Sequence, residues 1–372
     1  MKKEIIAIIM AAASATNALA CTSAIIGADK TVDGRPLLWK HRDTSATDNK
    51  VEYIAGKNGE LSFVALFNAS DRKCSQSWIG MNEAGFAIMN TASYNLHPLN
   101  TSKKNMDREG YVMTQALQCC RTIDDFAKLL DGLPRPMGVE ANFGVIDAYG
   151  NGAYFETNNE RYWRYDLADA PDHVLVRTNY SHSGRDGEGS GHVREANACV
   201  LLKPYVDSCS VSPEVLTETL SRSFYRDVQQ RDYAVCDEQL IADVDFIPRY
   251  TSVASVVIEG MRPEDRSVTR EDITTEYIMW TAMGYPPCAE VVPVWCSPNG
   301  VDQELRGTLP DGHSAMSDKV KKRRDDVFEL PRKGHRKYVD VRKLYNAQGT
   351  GYVQVLTGQN HAVYEKFRHR GR

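Results

Sequence analysis

The order in which strand-like and helix-like segments follow one another does most to narrow the fold of this chain. Runs rich in β-branched and aromatic residues come first, at Thr22 to Ala28, Arg35 to Lys40, Val51 to Ile54, Leu61 to Phe67, Ser77 to Met81 and Phe86 to Thr91. Two helical patterns follow. Tyr111, Met113, Leu117 and Cys120 lie near helical spacing, and Thr122 with Asp125 makes a capping box for a second helix that ends before Pro134. Strand signals return at Asn142 to Ala148, Ala153 to Glu156, Arg161 to Tyr165 and His173 to Thr178. Gly191 to Leu202 reads as helix, and Ser212-Pro213-Glu214 is a helix start with serine as cap and proline in the first turn. A last strand set runs through Thr251 to Ile258, Glu276 to Ala282 and Ala289 to Trp295. Strand and helix do not alternate strictly and nothing repeats at a fixed period. The expected class is α+β, with two antiparallel sheets stacked between helical layers.

The start of the chain sets a second constraint. Met1-Lys2-Lys3 is basic, Ile5 to Ala15 is apolar apart from Ser14, and Ala18-Leu19-Ala20 is a small-x-small cleavage pattern. Residues 1–20 therefore read as a signal peptide, and cutting after Ala20 makes Cys21 the first residue of the mature chain. Two other readings stay open. In a lipoprotein Cys21 would be acylated, although the aliphatic residue expected three places before it is Ala18 here and Leu19 sits one place late. With cleavage elsewhere, Cys21 would be an ordinary structural cysteine. The remaining 352 residues read as one domain, 21–372, with 301–372 a mainly helical basic extension. Its run Lys319 to Arg324 reads as a solvated helical face. A net charge of −4 gives no reason to expect nucleic acid, and no apolar run beyond the leader is long enough to span a membrane. The expectation is a protein that is periplasmic or secreted.

Nine cysteines, an odd number, fit an exported chain with one thiol left over. If Cys21 is that thiol, the other eight suffice for up to four disulfides. Cys199 with Cys209 and Cys288 with Cys296 are nearest in sequence, whereas adjacent Cys119 and Cys120 are poorly placed to bond each other. Alternatively, several are buried apolar residues. No CxxC pair and no Cys/His cluster at zinc spacing occurs, so no metal is expected.

An N-terminal cysteine carries a nucleophilic thiol and, on the same Cα, an amine of pKa about 8 that can act as its own base. Asp33-Gly34 is a turn between the first two strand signals. Folding back there returns Lys40 to Asp43 to the neighbourhood of Cys21. Lys40 and Arg42 would favour the thiolate, and Asp43 would accept hydrogen bonds from the ammonium. Asn90 and Asn179, each at the end of a strand signal, are candidate oxyanion donors, although an asparagine there is more often a turn former.

These residues resemble a known family. Cys21-Thr22-Ser23-Ala24, Asp33-Gly34 and Leu37-Leu38-Trp39-Lys40-His41-Arg42-Asp43-Thr44 look like the choloylglycine hydrolase and penicillin acylase superfamily of N-terminal-nucleophile (Ntn) hydrolases. The likeness is greatest to the acyl-CoA:6-aminopenicillanic acid acyltransferase branch. Gly80 to Asn90, Val176-Arg177-Thr178-Asn179 and Met279-Trp280-Thr281 with Gly284 and Pro286 extend it. The resemblance implies a four-layer αββα sandwich, chemistry at a linear, non-peptide C–N amide bond of a small-molecule N-acyl substrate, and no cofactor. Position by position it implies Cys21 as nucleophile, Asp43 as the carboxylate holding its amine, Asn90 as oxyanion donor and Asn179 as the residue orienting substrate and amine. Two departures stand out. Lys40 replaces the arginine that bile-salt hydrolases and penicillin V acylases carry three residues before the aspartate, which removes a planar fork. Ser190-Gly191-His192-Val193-Arg194 keeps only the second arginine of their Ser-Arg-x-x-Arg block, so Arg194 is the weaker candidate. The expected activity is amide hydrolysis through a Cys21 thioester. Acyl transfer by the same thioester, a dipeptidase-like activity, and a lipid-anchored binding protein without catalysis are the alternatives. The sequence leaves a homo-oligomer open.

Overall fold

In the computed structural model, residues 20–98, 106–262, 276–328 and 338–368 are described. The leader lies outside them except for Ala20. In chain order the strands are β1 (Thr22–Ile26), β2 (Leu37–Asp43), β3 (Asn49–Ile54), β4 (Phe63–Asn68), β5 (Ile79–Asn82) and β6 (Ala87–Ala92). Helices α1 (Glu109–Cys119) and α2 (Ile123–Gly132) come next. They are followed by β7 (Ala141–Ile146), β8 (Gly152–Thr157), β9 (Tyr162–Asp166), β10 (Val174–Arg177) and α3 (His192–Asp207). Short ribbons β11 (Tyr225–Arg226), β12 (Arg231–Asp232) and β13 (Leu240–Ala242) precede β14 (Ser252–Glu259), β15 (Ile278–Met283) and β16 (Val291–Val294). The chain continues with α4 (Ala315–Val327), β17 (Tyr338–Asp340), α5 (Val341–Leu344) and α6 (Tyr352–Arg368).

Two antiparallel sheets carry the molecule. One is a seven-stranded meander in the order β3-β4-β5-β6-β7-β8-β9; the other is six-stranded, in the order β10-β1-β2-β14-β15-β16. Side chains on a strand alternate between faces, and β4 shows how both faces of the meander are covered. Phe63, Ala65 and Phe67 pack into one apolar cluster with α1 and α2, while Val64 and Leu66 belong to the cluster between the sheets. Such strands read as unbroken apolar runs because both faces are covered.

Helices α1 and α2 form the outer layer on the meander. Thr122 and Asp125 complete the capping box in both directions, and Phe126 turns its ring edge-on to Phe143 and Phe155, at 5.5 and 5.2 Å. Leu202 of α3, Leu216 and Leu220 of a π-helical turn (Val215–Leu220), Val320 of α4 and Tyr364 of α6 are buried in the same cluster as the apolar residues of the six-stranded sheet. The result is a four-layer αββα sandwich, as expected from the order of elements. The capping serine, Ser212, accepts from Val215 N, but it opens the π-helical turn rather than a long α-helix.

Two readings change. The run Lys319 to Arg324 is less solvated than its charge implied: Arg324 is buried, its guanidinium 4.2 Å from the Tyr250 ring centre, and Arg323 is bidentate to Glu290. Long basic side chains can lay their stems and planar heads against the body of the protein. No disulfide joins any of the nine cysteines, all of which lie among the described residues. For Cys199 and Cys209 the reason is geometric. Cys199 lies inside α3, which continues to Asp207, and at about 1.5 Å rise per residue the two Cα atoms are carried beyond the ~7 Å a disulfide tolerates. Cys288 and Cys296 are buried with apolar neighbours, and the Cys296 thiol lies 3.5 Å from Ser62 O.

Phe126 is the pin between the helical layer and the meander. We predict that Phe126→Ala costs about 3–5 kcal/mol of stability, read as a lower midpoint in urea unfolding; a midpoint within error of the parent would contradict this packing.

Candidate active site

The first hairpin builds the site. Strands β1 and β2 pair with Thr22 opposite His41 and Ser23 opposite Lys40, so the next step of the register carries Cys21 to the Arg42–Asp43 end. The Cys21 sulfur lies 4.0 Å from Asp43 O, and the residue is 6% exposed. Ala20 is buried beside it. In the uncut chain the Cys21 nitrogen is a peptide N–H. It donates to Asn179 Oδ1 at 2.8 Å.

Asn179 follows β10 and is held by a bridge to Ser190. Its Oδ1 also accepts from Arg194 Nη2 at 2.9 Å, and Nδ2 donates to Ala92 O at 3.1 Å. To the Cys21 nitrogen it is thus an acceptor, while an amide nitrogen has a second hydrogen to give. Arg194, the weaker candidate from the sequence, is central: it donates through Nη1 to Cys21 O and to Thr22 Oγ1, joining the Cys21 backbone to Asn179. The first turn of α3 delivers it. Gly191, at φ +95°, lets the chain enter the helix there, where a Cβ would collide with Arg194 Nη2 and sit 2.7 Å from Thr178 Oγ1.

Lys40 and Arg42 share a face of β2 with the meander opposite. Lys40 Nζ donates to Trp78 O and to Asn90 Oδ1, each at 2.8 Å. That contact orients the Asn90 amide, with Nδ2 as the end turned away from the lysine. Arg42 donates to Asn49 Oδ1 at 2.6 Å and Asn68 Oδ1 at 2.8 Å, and its guanidinium lies 4.9 Å from the Trp78 ring centre. Among the described residues, neither of these cations nor Arg194 has a carboxylate within ion-pair distance. Each is satisfied by neutral oxygens.

The charges reflect this. Burial lowers Lys40 to about 7, and an ionised Cys21 pulls it back up. Burial likewise brings Arg42 and Arg194 down to about 10. On the other face of β2, burial pushes Asp43 up to about 6, opposed by Arg249 and Arg194. Asp43 Oδ1 accepts from Ser252 Oγ at 2.6 Å. Its carboxylate makes no hydrogen bond to Cys21 among the described residues. The Cys21 nitrogen is a peptide nitrogen with one hydrogen, which it donates to Asn179. His41 lies 3.6 Å from Asp43 but is held neutral, because burial lowers it to about 3, so this contact is not an ion pair.

The sequence brought Cys21, Lys40, Arg42, Asp43, Asn90, Asn179 and Arg194 forward, and the structure gathers all seven around one hairpin end. His41, Trp78, Arg249 and Ser252 went unremarked. His41 stood in plain view between Lys40 and Asp43, but Ser252 on β14 and Arg249 just before it depend on a strand pairing that no local pattern announces.

A scan against protein-family models finds no match, and neither does a search of curated proteins. Solved structures do resemble the chain. A Caenorhabditis elegans N-acylethanolamine-hydrolyzing acid amidase ortholog is 14% identical, with 68% of this chain and 97% of that one covered at a TM-score of 0.45. A mutant of conjugated bile acid hydrolase from Clostridium perfringens is 11% identical, covering 74% and 92% at 0.44. Penicillin V acylase from Agrobacterium tumefaciens is also 11% identical, covering 74% and 86% at 0.42. Likenesses this distant carry no weight here, and the functional reading rests on the site itself.

Gly191→Ala is predicted to cost about 1–3 kcal/mol through backbone strain and a displaced Arg194. Thermal unfolding checks it, and a melting point equal to the parent's would show that the turn tolerates a side chain.

Proposed function

We propose that the chain is the precursor of a cysteine amidohydrolase, armed when residues 1–20 are removed and Cys21 becomes the N-terminus. One observation carries this reading. The sulfur and nitrogen of the same buried residue sit among three buried cations that have no carboxylate partner among the described residues, with an asparagine fixed by one of them. Unbalanced positive charge in a dry site favours a thiolate and an oxyanion. Protein export to the periplasm or outside the cell belongs to the same proposal, because it rests on the leader.

The chemistry follows from the groups present. Cleavage turns the peptide N–H of Cys21 into an amine, which takes the thiol proton. The thiolate adds to the carbonyl carbon of an N-acyl amide, and the negative oxygen that forms is met by the Asn90 amide. The C–N bond breaks as the Cys21 ammonium returns a proton to the leaving amine, which leaves an acyl thioester on Cys21. Water then adds to the thioester with the amine again as base, and the carboxylic acid departs. Asn179 and Arg194 fix the Cys21 backbone throughout, and Asp43 supplies an anion for the ammonium.

Intact mass and N-terminal sequencing of the mature protein test the premise: we expect Cys21 first and unmodified. Cys21→Ser should lower kcat by about 10³-fold or more against an N-acyl amide panel. Full retention of activity would end the proposal.

The pH profile of kcat/KM gives a third prediction. Asp43, which burial pushes up to about 6 before cleavage and the ammonium lowers again, takes up a proton as pH falls and no longer offers an anion, so activity falls as pH falls. Above about 7 Lys40 loses its proton and Asn90 loses its charged donor, so activity falls as pH rises. Arginine binds its proton far more tightly than lysine. Lys40→Arg should therefore carry the alkaline limb upward by about one pH unit or more. An unmoved limb would clear Lys40 of this role.

A further inference from the structure

Asp43 is held from a part of the chain 209 residues away. Ser252 opens β14 directly opposite Asp43, and the register slips between Ser252 and Ala254. Such irregularities re-aim side chains, and here the serine hydroxyl reaches two groups of β2. It donates to Asp43 Oδ1 at 2.6 Å and meets His41 Nε2 at 2.8 Å. With the serine hydrogen given to the carboxylate and His41 neutral, Nε2 must carry the imidazole hydrogen and donate to Ser252 Oγ. His41 Nδ1 is then an acceptor, buried and without a partner among the described residues. The chain His41–Ser252–Asp43 therefore runs one way and ends on Oδ1. The other oxygen, Oδ2, makes no hydrogen bond among the described residues. Arg249, three residues before Ser252, lies 3.3 Å from Oδ2 through Nε and is partly exposed.

We propose that Ser252 and Arg249 are positioning residues for Asp43: the serine fixes Oδ1, which reserves Oδ2 for the Cys21 ammonium, and the arginine supplies the charge beside it. This rests on the proposed cysteine amidohydrolase reading. It adds that the catalytic hairpin is completed by the strand packed on its far edge. The groups acting on Asp43 are His41 and Arg42 from β2, Ser252 from β14, Arg249 from the loop before it, Arg194 from α3 and Asp243 from the segment after β13. Arg249 and Arg194 favour the carboxylate, Asp243 opposes it, and Ser252 favours it by hydrogen bonding. Of the two arginines, Arg249 can be replaced without breaking the link between Cys21 and Asn179.

The test uses the mature protein labelled with ¹³C-aspartate, with the Asp43 carboxyl signal assigned by its loss in Asp43→Asn. Arg249→Gln should raise the Asp43 titration midpoint by about one pH unit and move the acid limb of kcat/KM with it. Arg249→Lys, which keeps the charge, should restore most of the shift. Ser252→Ala should raise the midpoint less and lower kcat about tenfold with KM held, the mark of lost orientation. Midpoints and acid limbs that stay put in both Arg249→Gln and Ser252→Ala, with circular dichroism matching the parent, would overturn the inference. Failure of the underlying reading shows elsewhere, as activity surviving in Cys21→Ser. The carboxyl titration decides about Asp43 even then, since it needs no substrate.

Discussion

Three buried cations answered only by neutral oxygens among the described residues are the feature around which the rest of the site is arranged. Removing Lys40, Arg42 and Arg194 from water is costly, and the usual remedy is a carboxylate. Here the remedy is dispersed over the Trp78, Cys21 and asparagine oxygens. Those acceptors satisfy the N–H groups but do not cancel the charge. Burial answers in part by lowering Lys40 to about 7 and Arg42 and Arg194 to about 10, and Asp43 favours the charged form of both arginines.

That arrangement explains the division of labour along β2. Lys40 and Arg42 face the meander, while His41 and Asp43 face the opposite way, towards Ser252 and Arg249. A period of two residues thus sorts four consecutive polar side chains into a cationic layer on one side and a carboxylate with its holders on the other. A one-residue slip in the β1–β2 register would exchange the two sets. The apolar residues Leu37, Leu38 and Trp39 hold that register, because all three are fully buried.

Much of this was legible in the chain, for reasons that differ by element. The inner meander strands announced themselves because β4, at Phe63–Asn68, and β7, at Ala141–Ile146, are short, largely apolar runs closed by turn residues. The hairpin geometry followed from Asp33-Gly34 alone, and the capping box of α2 was readable to the residue. The basic run of α4 misled because charge says nothing about which neighbour receives it, and Arg324 finds a tyrosine face. Cys199 and Cys209, neighbours in sequence, are not neighbours in space, because the rest of a helix lies between them. Arg194 was undervalued because a motif scan looks for two arginines, whereas the fold needs one, delivered by a glycine turn. Ser252 and Arg249 were out of reach, since their meaning lies in the pairing of β2 with β14.

The two sheets also differ in how they are sewn. Every neighbouring pair in the seven-stranded sheet is consecutive along the chain, so it closes through local contacts with one helical excursion. The six-stranded sheet joins β1 to β10 and β2 to β14, closures whose entropy must be met before any contact rewards it. Assembly should therefore run from the meander to the sheet that bears Cys21, an order that pulse-labelled hydrogen exchange would show or refute as early or late protection of β14. On that order Asn179 and Arg194 reach Cys21, and Ser252 reaches Asp43, only as the long closures finish. A nascent chain would then hold Cys21 without these partners until its last sheet shuts.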